Sequence, residues 1–141
     1  VIVELTGLVK PTGDEYRWTC TLSCGVTYEL HGSDLTTEEE QRKALGSGSL
    51  PRRTVYVHHE QREDGAKLYA FRYPGERDLF RRLLSIKSVG PAIALKVACQ
   101  LGTDGLRKVR ETGDKQILRK IPGVGEAVAM RIMMELPKVL R

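Results

Sequence analysis

The sequence predicts an α+β fold built from two small modules, a β-barrel over residues 1–73 and an all-α module over residues 74–141. Three observations carry that expectation. Apolar and β-branched residues alternate with period two through the first half. In the second half they recur every three or four residues, the period of amphipathic helices. Strands therefore come first and helices after, the order of two packed modules rather than of an alternating α/β sheet. A chain of 141 residues accommodates one domain or two small ones.

Five strand candidates stand in order in the first half. Val1 to Thr6 is apolar and β-branched. Tyr16 to Leu22 alternates, with Tyr16, Trp18, Cys20 and Leu22 on one face, and Val26 to Leu30 alternates as well. Thr54 to His58 and Lys67 to Arg72 complete the set. Turn-forming clusters separate them at Pro11-Thr12-Gly13-Asp14, Ser23-Cys24-Gly25 and Glu63-Asp64-Gly65. Five or six short strands in about 72 residues suggest a small barrel of the OB type. One insert interrupts them. Thr36 to Leu45 reads as a short helix, with Thr36 or Thr37 as cap, acids in the first turn and bases in the last. Gly46-Ser47-Gly48-Ser49 then reads as a loop, so that Thr36 to Ser49 forms a solvated loop-helix.

Pro74-Gly75 marks the junction between the modules. Helical spacing follows over Glu76–Ile86, Gly90–Leu101, Thr103–Thr112, Asp114–Lys120 and Gly125–Leu140. The formal net charge of +5 is unevenly spread. Residues 1–75 hold 9 Lys/Arg against 11 Asp/Glu, whereas residues 76–141 hold 14 against 7. The helical half is thus the one suited to a polyanion. No run reaches the ~18 apolar residues of a membrane span, and no basic-then-apolar leader opens the chain. Three cysteines are too few for a disulfide scaffold, so reduced thiols in the cytoplasm are expected.

Within the helical half the sequence repeats at an offset of 35 residues. Leu83, Ile86, Val89, Gly90, Ala94 and Leu101 recur as Leu118, Ile121, Val124, Gly125, Ala129 and Leu136. Each copy reads as a helix, a tight turn and a second helix, which is the helix-hairpin-helix pattern. The turns are Lys87-Ser88-Val89-Gly90-Pro91 and Pro122-Gly123-Val124-Gly125. Their glycines are expected to take positive φ and to let the backbone approach a ligand. Free amides at the following helix N-terminus form a nest for a phosphate oxygen, indifferent to base sequence. Val89 and Val124 plug the hairpins, and Ala94 and Ala129 allow close helix packing.

With these motifs in place, the chain resembles the RuvA family of Holliday-junction branch-migration proteins. The resemblance runs through Ile2 to Gly7, Gly25-Val26-Thr27-Tyr28-Glu29, Arg62-Glu63-Asp64, Leu68-Tyr69-Ala70-Phe71 and Glu76-Arg77-Asp78-Leu79-Phe80, and then through both hairpins in the family's order. It implies an OB-fold barrel followed by a tandem helix-hairpin-helix domain. It also implies a non-catalytic homotetramer that holds a four-way DNA junction flat and open for branch migration in recombination and repair, with a second tetramer able to clamp the opposite face. The hairpins then grip backbone phosphates across the minor groove of each arm. Glu63 and Asp64 match an acidic pin aimed at the crossover, where carboxylates repel phosphates, and Arg62 lies beside it as a phosphate contact. The family continues through a linker into a third helical domain that docks the hexameric ATPase RuvB. That docking domain is absent from this sequence, which stops just after the second hairpin.

The hairpin chemistry departs from the family. Gly-Val-Gly-Pro-Lys becomes Ser88-Val89-Gly90-Pro91-Ala92, and Gly-Lys-Lys becomes Gly125-Glu126-Ala127. The lysines beside both nests are missing, and Glu126 near a phosphate would weaken binding. Lys87, Lys96, Arg119, Lys120 and Arg131 are the compensating cations. The expected DNA-binding set is therefore these five with Ser88, Val89, Gly90, Ala92, Gly123, Val124, Gly125, Ala127 and Arg62.

Other chemistries have weaker footing. No Gly-x-x-x-x-Gly-Lys-Ser/Thr loop is present for ATP hydrolysis. Cys20 and Cys24 have no second Cys or His pair to complete a zinc site, so no metal or cofactor is expected. Cys20 and Cys99 read as buried, and His31, His58 and His59 as surface or partly buried. A glycosylase or nuclease would need a catalytic acid after the first hairpin, where only Asp104 and Asp114 stand. A single-strand binder would stack bases on Tyr16, Trp18 and Tyr28, although Trp18 at alternate spacing more often belongs to a core. An interaction protein with weakened DNA binding is the remaining alternative.

Overall fold

The computed structural model describes residues 1–48 and 52–141. Ser49, at the end of the expected loop, lies outside the described residues. Five strands, β1 (Glu4–Pro11), β2 (Arg17–Thr21), β3 (Thr27–His31), β4 (Arg52–Arg62) and β5 (Gly65–Phe71), close into a barrel in the order β1-β2-β3-β5-β4. All neighbours run antiparallel except β3 and β5, which meet in parallel at the pair His31 and Tyr69. Inward side chains alternate as the period-two pattern requires. Leu5, Val9, Trp18, Cys20, Leu30, Val55, Val57, Leu68 and Ala70 fill the interior, with Leu35 from the chain after β3.

Two strands differ from the sequence expectation in their limits. β1 starts three residues later than expected and continues to Pro11, because alternation carries on inward through Leu5, Gly7 and Val9. At Gly7 the strand lies tight against β2. A Cβ there would lie 2.4 Å from the Thr21 carbonyl oxygen, so only glycine fits. β4 extends at both ends because it pairs with β1 through Arg52–Tyr56 and with β5 through Tyr56–Arg62. Polar flanks that alone read as loop are held by this double pairing.

The insert forms α1 (Glu38–Ser47). Thr37 caps it, its hydroxyl accepting from the Glu40 amide at 3.1 Å, and Glu38, Glu39 and Glu40 occupy the first turn. The helix runs through Gly46 and Ser47, which were expected in a loop, and Gly48 ends it in a left-handed conformation. Arg42 and Lys43 consequently fall mid-helix, and the last turn carries no base. α1 buries none of its residues. It is tethered at its start by the Arg53 guanidinium, which donates to the Leu35 carbonyl at 2.8 Å and pairs with Glu40 at 3.2 Å.

The chain divides into two compact units, Val1–Arg77 and Asp78–Arg141. The sequence junction at 73/74 precedes this division because the first turn of α2 (Pro74–Leu84) belongs with the barrel. There the Arg77 guanidinium donates to the Val3 carbonyl at 2.9 Å and lies over the Tyr56 ring. The second unit continues with α3 (Pro91–Gln100), α4 (Gly102–Thr112), α5 (Gln116–Arg119) and α6 (Glu126–Val139). Most apolar positions of the repeat are buried, joined by Leu79, Phe80, Leu95, Val97, Ala98, Leu106, Val109, Ile132 and Val139, whereas Leu101 is only partly buried. Cys20 is buried as expected, but Cys99 is only half-buried, since it flanks the α3 face that Ala94, Leu95 and Ala98 turn inward. Among the described residues, no helix is long and apolar enough to cross a membrane.

Leu30 is fully buried in the barrel. Leu30→Ala is expected to cost about 2–5 kcal/mol. Urea unfolding followed by Trp18 fluorescence checks this, and an unchanged midpoint would contradict the barrel packing.

Candidate nucleic-acid interface

The two sequence copies fold into two hairpins with the same internal hydrogen bonds. In the first, the Ile86 amide donates to the Leu83 carbonyl and the Val89 amide to the Ile86 carbonyl, both at 3.1 Å. In the second, Ile121 donates to Leu118 and Val124 to Ile121, again both at 3.1 Å. Each turn then enters a helix through an extended N-cap glycine, Gly90 before α3 and Gly125 before α6. The carbonyls of these glycines accept from Ala94 and Ala129, both at 2.9 Å. Val89 and Val124 are buried beneath the turns, beside Ile86 and Ile121. Ala94 and Ala129 are completely buried.

The positive φ expected of the turn glycines is met at Gly123 but not at Gly90 or Gly125. Gly90 (φ −88°) and Gly125 (φ −91°) do not take positive φ. The left-handed position is one step before the valine, at Ser88 (φ 77°) and Gly123 (φ 92°). That geometry reverses the chain so that the valine turns inward while the next amides turn outward. A serine there carries a Cβ in a region that disfavours it.

No side chain caps either α3 or α6. Their first-turn amides lack carbonyl partners within the helix, and each end carries the positive pole of the helix dipole. Pro91 at the start of α3 removes one such donor from the first hairpin. Ser88, Gly90 and Ala92 are exposed on the first turn, and Gly123, Gly125 and Ala127 on the second. Lys87, Lys120 and Arg131 are exposed as well. Lys96 is half-buried and donates to the Pro122 carbonyl at 3.4 Å, bracing the second turn from α3.

Glu126 is not a bare acid facing an empty nest. It pairs with Arg119 at 3.1 Å and accepts a hydrogen bond from Lys115. That hydrogen bond, with the charges of Lys115 and Arg119, holds its carboxyl below the usual carboxylate range. Arg119 is thus already engaged. Lys115 was missing from the sequence-derived set, and only its one-turn spacing from Arg119 could have drawn attention to it.

Arg62 and Gly65 form the last pair of the β4–β5 hairpin, and Glu63 and Asp64 make its exposed two-residue tip. They belong to the first unit and the helical hairpins to the second. The alternative sites find less support. Trp18 is buried in the barrel core and Tyr28 packs against it. Asp104 pairs with Arg107 on the exposed face of α4, and Asp114 accepts from the Gln116 amide as a local cap. Among the described residues no three His, Cys, Asp or Glu side chains are grouped to hold a metal ion.

Residues 80–138 match the family model of the SAM-like helix-hairpin-helix tandem. The whole chain is similar to subunits named Holliday junction branch migration complex subunit RuvA. The one from Thermoanaerobacter sp. (strain X514) is 38% identical over 137 residues, covering 96% of this chain and 68% of the relative. That from Synechococcus sp. (strain RCC307) is 39% identical over 115 residues, 81% of this chain and 52% of the relative. One from Exiguobacterium sp. (strain ATCC BAA-1283 / AT1b) is 35% identical over 112 residues, 79% of this chain and 53% of the relative. The chain spans roughly half the length of several curated relatives it matches.

The unequal turn residues generate opposite mutational effects. Gly123→Ala is expected to destabilise by about 1–2 kcal/mol, because it puts a Cβ at positive φ. Ser88→Gly is expected to stabilise by up to about 1 kcal/mol, strain relief outweighing the added chain entropy. Thermal melts of both variants check the pair, and a stabilised Gly123→Ala would refute the turn geometry.

Proposed function

The chain belongs to the RuvA family, and on that footing we propose that it binds four-way DNA junctions by shape, without reading sequence and without catalysing a reaction itself. The observation that carries this reading is the doubled hairpin. Two turns with identical hydrogen bonds each present exposed backbone amides before an uncapped helix, in the half of the chain with the excess of basic residues. Backbone amides at a helix N-terminus donate to any phosphate oxygen, so the grip they supply is indifferent to bases. Lys87, Lys120 and Arg131 add long-range attraction.

In this reading four chains surround the crossover as a homotetramer. Each tandem domain follows the backbone of one arm across the minor groove. Glu63 and Asp64 form the pin, two carboxylates at the tip of a well-paired β-hairpin, which repel phosphates and disfavour closed duplex at the centre. Arg62 at the base of that tip contacts a neighbouring phosphate. Branch migration itself needs a RuvB-type hexameric ATPase as motor, and the complex works on chromosomal DNA in the cytoplasm during recombination and repair.

A gel-shift competition between a synthetic four-way junction and linear duplex of equal length, at two salt concentrations, tests the proposal. Junction preference is expected. The log–log salt slope should be at least as steep as about −1.8 per chain, two phosphate contacts at roughly −0.9 each. Equal affinity for duplex and junction, or a flat salt dependence, would overturn it. Glu63→Gln with Asp64→Asn is expected to tighten junction binding while narrowing the preference over duplex. An unchanged preference would remove the pin from the account.

A further inference from the structure

We infer that Glu126 is a built-in counter-ion on the second hairpin, holding Lys115 and Arg119 until a DNA phosphate takes its place. The inference rests on the phosphate-clamp reading and deepens it, adding Lys115 to the binding residues and assigning Glu126 the part of a competitor.

The three groups converge from the two arms of one hairpin. Lys115 and Arg119 bracket α5, one helical turn apart and therefore on one face. Glu126 is the first residue of α6, across the turn. One carboxylate oxygen takes the ammonium and the other takes the guanidinium, at 3.1 Å. An oxyanion between two cations, beside the uncapped start of a helix, is the arrangement a phosphate oxygen would adopt there. The three side chains are 37%, 44% and 50% exposed, so a backbone phosphate reaches them without rearrangement of the fold. Exposed ion pairs contribute little net stability, so exchanging one anion for another is easy. Two cations share one carboxylate, which leaves one net positive charge to attract DNA before the exchange.

The device is confined to one copy. The positions 35 residues earlier are Phe80, Leu84 and Pro91, which carry no charge. Phe80 is fully buried in the core. The first hairpin therefore offers its amides beside the unrestrained Lys87, and the second offers amides with two cations under restraint. Binding at the second site swaps an internal pair for a phosphate pair and releases fewer counter-ions than free cations would. The salt dependence of the whole protein is reduced accordingly.

The test measures fluorescence anisotropy of a fluorescein-labelled synthetic four-way junction, and of duplex of equal length, across a KCl series. It compares the full chain with Glu126→Gln, Lys115→Ala and the double variant. Glu135→Gln is the control, since it makes the same charge change in the same unit at a pair with Lys138 on α6. Glu126→Gln is expected to steepen the salt slope by about 0.9 per chain, a gain of about eight-fold in affinity per chain between 1 M and 0.1 M KCl. Lys115→Ala should weaken wild-type binding little and abolish most of the gain in the Glu126→Gln background.

Equal tightening by Glu135→Gln would reduce the effect to net charge and overturn the inference. So would a Lys115→Ala cost that is the same in both backgrounds. A fall in melting temperature of Glu126→Gln with unchanged binding would make the triad a structural brace between the hairpin arms. If wild type prefers junctions but shows no coupling, the counter-ion role fails and the junction reading stands. If no variant binds either DNA, both fail.

Discussion

The Val89 amide reaches back to the Ile86 carbonyl, and the Val124 amide does the same to Ile121. This three-residue closure sets everything around it in the second unit. It requires a left-handed residue before the valine, supplied by Ser88 and Gly123. It sends the valine inward, where it is buried with the isoleucine that begins the turn. It sends the following amides outward and leaves them at the start of a helix with no side chain to cap them. Packing and ligand chemistry are thus separated onto opposite sides of the same few bonds. The core can be apolar throughout while the backbone itself supplies the polar surface.

That separation explains why the two copies share a geometry and differ in chemistry. Positions that close the turn or fill the core recur between them. The outward positions are free to diverge, and they have. Pro91 costs the first hairpin an amide donor, whereas Glu126 brings a carboxylate to the corresponding place in the second. Lys96 of α3 reaches the second turn through the Pro122 carbonyl, so the copies also brace one another.

Much of this was legible in the sequence, because periods of two and of three to four cannot be confused over such lengths. The barrel, the helical half and the repeat all followed from apolar spacing. The failures lie where a residue's local habit was overruled by its neighbours. The first strand reads as ending at Thr6, yet it continues through Gly7, where the approach of β2 requires glycine. Gly46 and Ser47 read as a loop but prolong a helix already started by the Thr37 cap. The polar ends of β4 read as coil but are paired on both sides. The glycines of the hairpins were recognised, yet their φ values could not be assigned without the turn itself, which uses Ser88 where copy two uses glycine. The link from Lys115 to Glu126 spans 11 residues and crosses a reversal of direction. No helical or strand period connects such positions, so only the angle between α5 and α6 reveals the pair.

The barrel wall is uneven in a way that bears on its acidic tip. β3 and β5 meet at one pair, His31 with Tyr69, whereas β4 and β5 share seven. A ring with one narrow joint has a preferred place to breathe, and amide protons near that joint exchange ahead of those along the broad seam. Glu63 and Asp64 project from the end of the broad seam. Thermal breathing of the barrel is thereby directed to the β3 edge of β5, while the tip is carried on its β4 edge.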